Sequence, residues 1–123
     1  MYKLTIDNKH ADVIIRALDL YSRLLMAQVQ MVPETIVRET GKQHEQVNAL
    51  MQEIKHLLFQ LPYNASYGIT SKETPENAKI AVGIHDVIRH CLAWEWQPEG
   101  GYTVDFDTPM NWSGHALPEI HKK

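Results

Sequence analysis

The chain has 123 residues, which predicts one domain spanning residues 1–123 with a single modest core. Its hydrophobic fraction of 44% and charged fraction of 22% are ordinary for a soluble globular protein and exclude a disordered or low-complexity chain. The net charge of −3 argues against nucleic-acid binding, because a polyanion is not attracted to an acidic protein without a local basic patch.

The first residues, MYKLTIDNKH, lack the basic and apolar regions of a secretory signal. No apolar run approaches the roughly 18 residues that a membrane span requires. We therefore expect a cytoplasmic protein without a membrane contact. The single cysteine, Cys91, excludes an intrachain disulfide and is expected to be a small buried hydrophobe.

The N-terminal third predicts a strand followed by a helix. Residues 2–7 (YKLTID) alternate apolar and polar side chains, which is the period of a strand with one covered face. The period then becomes helical, with Asp7 or Asn8 as the N-cap. Pro33 marks the point where this first helix breaks or restarts.

The middle of the chain predicts two more amphipathic helices. Residues 41–61 carry apolar side chains at helical spacing, and Pro62 ends the pattern. Residues 62–75 have no sustained period and predict an exposed loop. Thr74 and Pro75 are typical of a cap and a first helical position, and the third helix is expected to run to about Gln97.

A second strand is predicted after Gly100 and Gly101, because residues 102–106 alternate again before Pro109. The expected fold class is therefore α+β and mainly helical, with three amphipathic helices flanked by short N- and C-terminal strands. Two strands form a marginal sheet with open edges, which favours a homo-oligomer.

One side of the third helix carries the strongest candidates for a binding site. On a helical wheel, Ala78, Val82, His85, Arg89 and Trp96 lie opposite the apolar stripe. The two basic side chains are one turn apart and suit a phosphate or carboxylate, and an indole offers a stacking face. The alternative is that the indole covers a neighbouring strand or subunit while the basic groups pair with surface acids.

Weaker candidates lie elsewhere. Arg16 and Arg23 on the first helix could line a pocket, although acids at neighbouring turns favour a solvated face. Tyr67 could close over a planar ligand from the loop, or could simply pack that loop down. Gly83, inside the third helix, indicates the close approach of another helix or, alternatively, of a ligand.

The sequence gives little support for a catalytic site or a metal site. Asp105 and Asp107 would share one face of the last strand and could act as acid and base or hold a metal, but alternating Asp also protects a strand edge from aggregation. The histidine spacing matches no metal motif, and nucleotide-cradling or nucleophile motifs do not occur. We therefore predict no metal, no cofactor and no catalytic residue.

The segments ALDLYSRL and HDVIRHCLAWEWQPEGGYTVDFDTPM resemble small proteins encoded by bacteriophages and prophages. These segments carry no known catalytic role, so the resemblance transfers no functional residue. It implies a phage source, and phages of this kind encode many short proteins that block host enzymes or capture host defence signals.

The leading hypothesis is a non-catalytic, self-associating protein that captures a small anionic, nucleotide-like ligand through His85, Arg89 and Trp96. The alternative from another class is an inhibitor or adaptor that binds a host protein, with the same Trp and Arg as interface anchors. An enzyme that uses Asp105 and Asp107 is the third reading.

Overall fold

The computed structural model describes residues 1–42 and 46–122. These residues form four α-helices and one short 3-10 helix. The α-helices are α1 (Asn8–Leu25), α2 (Met31–Thr40), α3 (Val47–Phe59) and α4 (Glu76–Trp96), and the 3-10 turn is Val104–Phe106.

The predicted α+β fold is wrong, because residues 1–42 and 46–122 contain no strand. Residues 2–7 are irregular and mostly exposed, and residues 102–106 form the 3-10 turn and the approach to it. Alternation of apolar and polar residues describes an extended chain, but a strand also needs a partner for its backbone N–H and C=O groups. In residues 102–106, a side chain of α4 binds the backbone instead: Trp94 Nε1 donates to the carbonyl of Phe106 at 3.1 Å.

The first predicted helix is confirmed as α1 but ends earlier, and α2 begins at Met31, two residues before the predicted break or restart at Pro33. α1 ends at Leu25, where the chain turns through Ala27 in the left-handed region, with φ of 67°. The N–H of Gln28 donates to the carbonyl of Arg23 at 2.9 Å and closes this end. Pro33 lies in the first turn of α2, a position where its missing N–H costs little.

The second predicted helix is confirmed as α3, within shorter limits. It begins at Val47, and the part of the prediction that covers residues 43–45 lies outside the described residues. It ends at Phe59, before Pro62, and the following Gln60 takes the left-handed conformation and donates its N–H to the carbonyl of His56 at 2.8 Å. The third predicted helix is α4.

The start of α4 differs from the expected cap by one residue. Pro75 occupies the N-cap position, and the first helical residue is Glu76. Thr74 is buried, and its hydroxyl donates to the carbonyl of Gly68 at 2.6 Å instead of capping the helix. Thr74 therefore anchors the preceding loop.

The core lies between α1 and α4, which form the most extensive helix–helix contact of the described chain, and it extends to the turn between α1 and α2. α2 packs against α1 to a smaller extent. Most buried apolar side chains are small or flexible, which lets the two helices approach closely but buries little apolar area. The buried apolar residues of the described chain are Ala11, Met26, Ala27, Val29, Met31, Ala78, Ala81 and Ile88.

Residues 107–122, which we call the C-terminal segment, follow the 3-10 turn and return along α4. The N–H of Gly114 donates to Glu76 Oε1 at 2.6 Å, at the start of the helix. The close approach of Leu117 explains why a glycine occupies position 83 inside the helix, because a Cβ there would lie 2.8 Å from Leu117 Cδ2. The space is used by this segment, and not by a helix or a ligand. No helix in the described part of the chain has the length and apolar character to cross a membrane.

Replacing Asp7 with Ala is expected to lower the Tm, because α1 loses the carboxylate that accepts the N–H of His10 at 2.9 Å. The same hydrogen bond holds the pKa of Asp7 below its ordinary value. A depressed pKa stabilises the fold above the unfolded-state pKa, and this contribution is lost as the pH falls through the folded-state pKa. Thermal unfolding followed by circular dichroism from neutral pH to about pH 3 measures both effects.

Asp7→Asn is the matched control, because Asn also caps helices but carries no titrating group. It should keep most of the Tm at neutral pH and remove this part of the acid dependence. An Asp7→Ala variant with the parent Tm at neutral pH would contradict the role of the cap.

Gly83→Ala is expected to act differently in two backgrounds. In a Leu117→Ala background it should raise the free energy of unfolding by about 1 kcal/mol, the difference in helix propensity. In the parent the gain should be smaller or reversed, since Leu117 must move away from the new Cβ. Urea unfolding of the four proteins gives the coupling energy, and equal effects in both backgrounds would contradict the contact.

Candidate functional site

A cleft of about 270 Å³ lies between α4 and the segment that follows the 3-10 turn. We call it the C-terminal cleft. It is lined by polar and apolar side chains, namely Asp86, Arg89, Val104, Asp105, Asp107, Thr108, Pro109, Met110 and Trp112. One of the two predicted basic residues, Arg89, is therefore part of a concave surface.

Arg89 is held by carboxylates from two elements. Its Nη2 lies 3.2 Å from Asp86 Oδ1 on α4, and its Nε lies 2.9 Å from Asp105 Oδ1 in the 3-10 turn. The contact at Nε is an ion pair without the alignment of a hydrogen bond, because Nε is buried and meets no acceptor in suitable geometry. The guanidinium thus joins the turn to α4.

His85 is paired as well. Its Nδ1 lies 2.8 Å from Asp86 Oδ1, so the ring N–H donates to the carboxylate that also contacts Arg89. Both side chains of this pair are mostly buried. A single aspartate therefore contacts both basic side chains that were predicted to hold an anion, and Asp105 contacts Arg89 as well.

The electrostatics of the C-terminal cleft are acidic. Three aspartates and one arginine line it, which gives the lining a formal charge of −2. An entering phosphate would have to displace Asp86 or Asp105 from Arg89 and would meet the remaining carboxylates at close range. A cationic group beside an apolar one fits this surface better than an anion does.

The 3-10 turn, which forms one wall of the cleft, is held in place by two further side chains of α4. His90 Nδ1 donates to the carbonyl of Asp105 at 3.1 Å. The ring of Trp94 meets that of Phe106 edge to face, with centroids 5.5 Å apart. Gly100, with φ of 85°, lets the chain turn beneath the Trp94 ring, where a Cβ would lie 3.0 Å from its Cη2.

Trp96 projects from the last turn of α4 and is 83% exposed. It is outside the lining of the C-terminal cleft. Ala78, at the other end of the same predicted helix face, is completely buried. The predicted face is therefore not one continuous surface: it begins in the core, passes through paired basic groups and ends in an exposed indole.

The weaker candidates are held elsewhere. Arg16 pairs with Asp12 at 3.1 Å, and Arg23 pairs with Asp19 at 2.9 Å. Tyr67 donates its N–H to the carbonyl of Met26 at 2.9 Å, and its ring meets that of Phe59 edge to face. These three residues do not line the C-terminal cleft.

The acidic residues do not form the predicted strand pair. Asp105 is inside the 3-10 turn and is bound to Arg89, whereas Asp107 lies after the turn. The shared strand face on which the enzymatic reading depended does not exist. In residues 1–42 and 46–122, no group of three or more His, Cys, Asp or Glu side chains is arranged to hold a metal ion.

Sequence reasoning missed Asp86, His90 and Trp112 as parts of the site. Asp86 could have been found from its spacing, because an acid three residues before Arg89 on a helix faces it. His90 and Trp112 contribute through a chain reversal that no local pattern describes. Comparison of the chain with protein-family models, with curated proteins and with solved structures finds no match.

The two tryptophans of α4 are expected to respond differently to substitution. Trp94→Ala should lower the free energy of unfolding by about 2 kcal/mol, because it removes a half-buried ring and a hydrogen bond. Trp96→Ala should change it by less than about 0.5 kcal/mol, since the indole is exposed. Denaturant unfolding measures both variants, and equal losses would contradict this assignment.

Proposed function

We propose that this chain is a non-catalytic interaction protein that binds a protein partner through the C-terminal cleft, as an inhibitor or adaptor of the kind found among short phage proteins. The acidic, partly apolar cleft is the observation that supports this reading over anion capture. The phage connection rests on the resemblance of the α1 and α4 segments alone.

The partner surface would combine a basic side chain with an apolar one. Asp107 is exposed and would meet a Lys or Arg of the partner, while Val104 and Met110 offer exposed apolar contacts. Charges at such a rim mainly set the rate and specificity of association, and buried apolar contacts supply affinity. Trp96 is an exposed indole of the type enriched at binding hot spots.

Capture of a small anion is the competing function. It would require Arg89 and His85 to leave Asp86, or a ligand that gains more from Trp96 than it loses near the acids. Native mass spectrometry of the gently purified protein separates the two functions. A retained nucleotide-like molecule would contradict the proposal, and a stoichiometric protein partner would agree with it.

Asp107→Lys tests the cleft directly. A partner is isolated from bacterial lysate on the immobilised parent protein, identified, purified and measured again by calorimetry. The variant should weaken its binding at least about tenfold, which corresponds to about 1.4 kcal/mol. The parent affinity should also fall with added salt, because opposite charges meet across the interface.

Glu99→Lys is the matched control, since it makes the same charge change on an exposed acid outside the cleft. It should bind the partner nearly as tightly as the parent does. Equal binding by the parent and by Asp107→Lys would contradict a partner site in the cleft.

A further inference from the structure

One side of α3 faces the loop that follows the helix, and the contacts on this side set the orientation of α3. Lys55 is only 2% exposed, and its Nζ donates to the carbonyl of Ala65 at 2.9 Å. On the same side, the ring of Phe59 meets that of Tyr67, with centroids 6.0 Å apart. α3 therefore packs against the loop after it, and extensive packing on another helix is not found among the described elements.

The opposite side of α3 is apolar and open to solvent. Leu50, Ile54, Leu57 and Leu58 are all exposed, and Leu57 reaches 78%. We call these four residues the outer face of α3. A row of large aliphatic side chains at helical spacing is unusual on a surface that stays in water, and it indicates a contact with another molecule.

The exposed area of the chain is too large for a compact monomer. The chain exposes 9166 Å², whereas a compact protein of 14.2 kDa exposes about 6,800 Å². The irregular and mostly exposed terminal segments contribute part of this excess of about 2,400 Å². A homodimer interface removes about 800 Å² or more from each chain, which is less than this excess.

The spacing along α3 suits a second copy of the same helix. Val47, Leu50, Ile54 and Leu57 are alternately three and four residues apart, which is the repeat of a helix-pair seam. Branched Val and Ile occupy one set of these positions and Leu occupies the next, a distribution that favours two-stranded association.

The flanks of this seam allow identical helices to approach. The neighbouring positions are Gln46, Met51, Glu53, Leu58 and Gln60, and only Glu53 carries a charge. Two copies would therefore meet without the rows of like charge that oppose self-pairing. A shallow groove of about 420 Å³ borders the outer face of α3 at Leu57, and its lining is mixed: Gln52, Glu53 and His56 of the helix, followed by Leu61, Pro62 and Tyr63.

The geometry points to a homodimer in which the outer face of α3 packs against the same face of a second copy of this chain. This contact differs from the sheet-edge pairing that sequence analysis predicted. It is also separate from the C-terminal cleft, because no residue of α3 lines that cleft.

Leu57→Glu is the test, measured by sedimentation velocity over a range of protein concentrations. The parent should sediment with twice the chain mass, and the variant should sediment as a monomer with an unchanged far-ultraviolet circular dichroism spectrum. Leu4→Glu is the matched control, because Leu4 is 77% exposed but lies in the N-terminal segment, and it should remain dimeric.

A parent that stays monomeric at high micromolar concentration would overturn the inference. So would a Leu57→Glu variant that keeps the parent mass, or a Leu4→Glu variant that dissociates equally. The test is independent of the proposed function, since Leu57→Glu leaves the cleft intact and Asp107→Lys leaves the outer face of α3 intact.

Discussion

The close contact between α1 and α4 is the interaction on which the rest of the structure depends. Alanines at positions 11, 78 and 81 let the two helix backbones approach, and α4 in turn carries the C-terminal segment at Gly83 and the 3-10 turn at Arg89. Small side chains bury little apolar area. Many of the large aliphatic residues therefore remain partly or fully exposed, and both proposals, a partner at the C-terminal cleft and a second copy at α3, start from this shortage of burial.

Much of the helical content could be predicted from sequence, because amphipathic periods and prolines are local signals. α3 and α4 appear where the periods place them, but α1 ends earlier than predicted and most of α2 was not assigned to a predicted helix. Whether the alternating segments form strands could not be predicted in the same way. Alternation at residues 2–7 and 102–106 is also local, but a strand exists only if distant backbone pairs with it, and no strand of the described chain supplies that pairing.

The site shows the same division between local and distant information. Sequence could identify Arg89 and Trp96 on α4, and the exposure of the indole agrees with its proposed use as a contact. It could not reveal that Asp105 returns to Arg89 through the 3-10 turn, or that Asp86 serves both basic groups. Those pairs change the chemistry of the cleft from basic to acidic, and with it the kind of partner that the surface suits.

Taken together, the core holds α1 and α4, while the outer face of α3 is left uncovered and is proposed to pack against a second copy of the chain. Hydrogen exchange at two protein concentrations about a hundredfold apart tests this claim most directly. The account predicts that amides of α3 exchange more slowly at the higher concentration, while those of α1 that face α4 change much less. Exchange in α3 that is equally slow at both concentrations would contradict it.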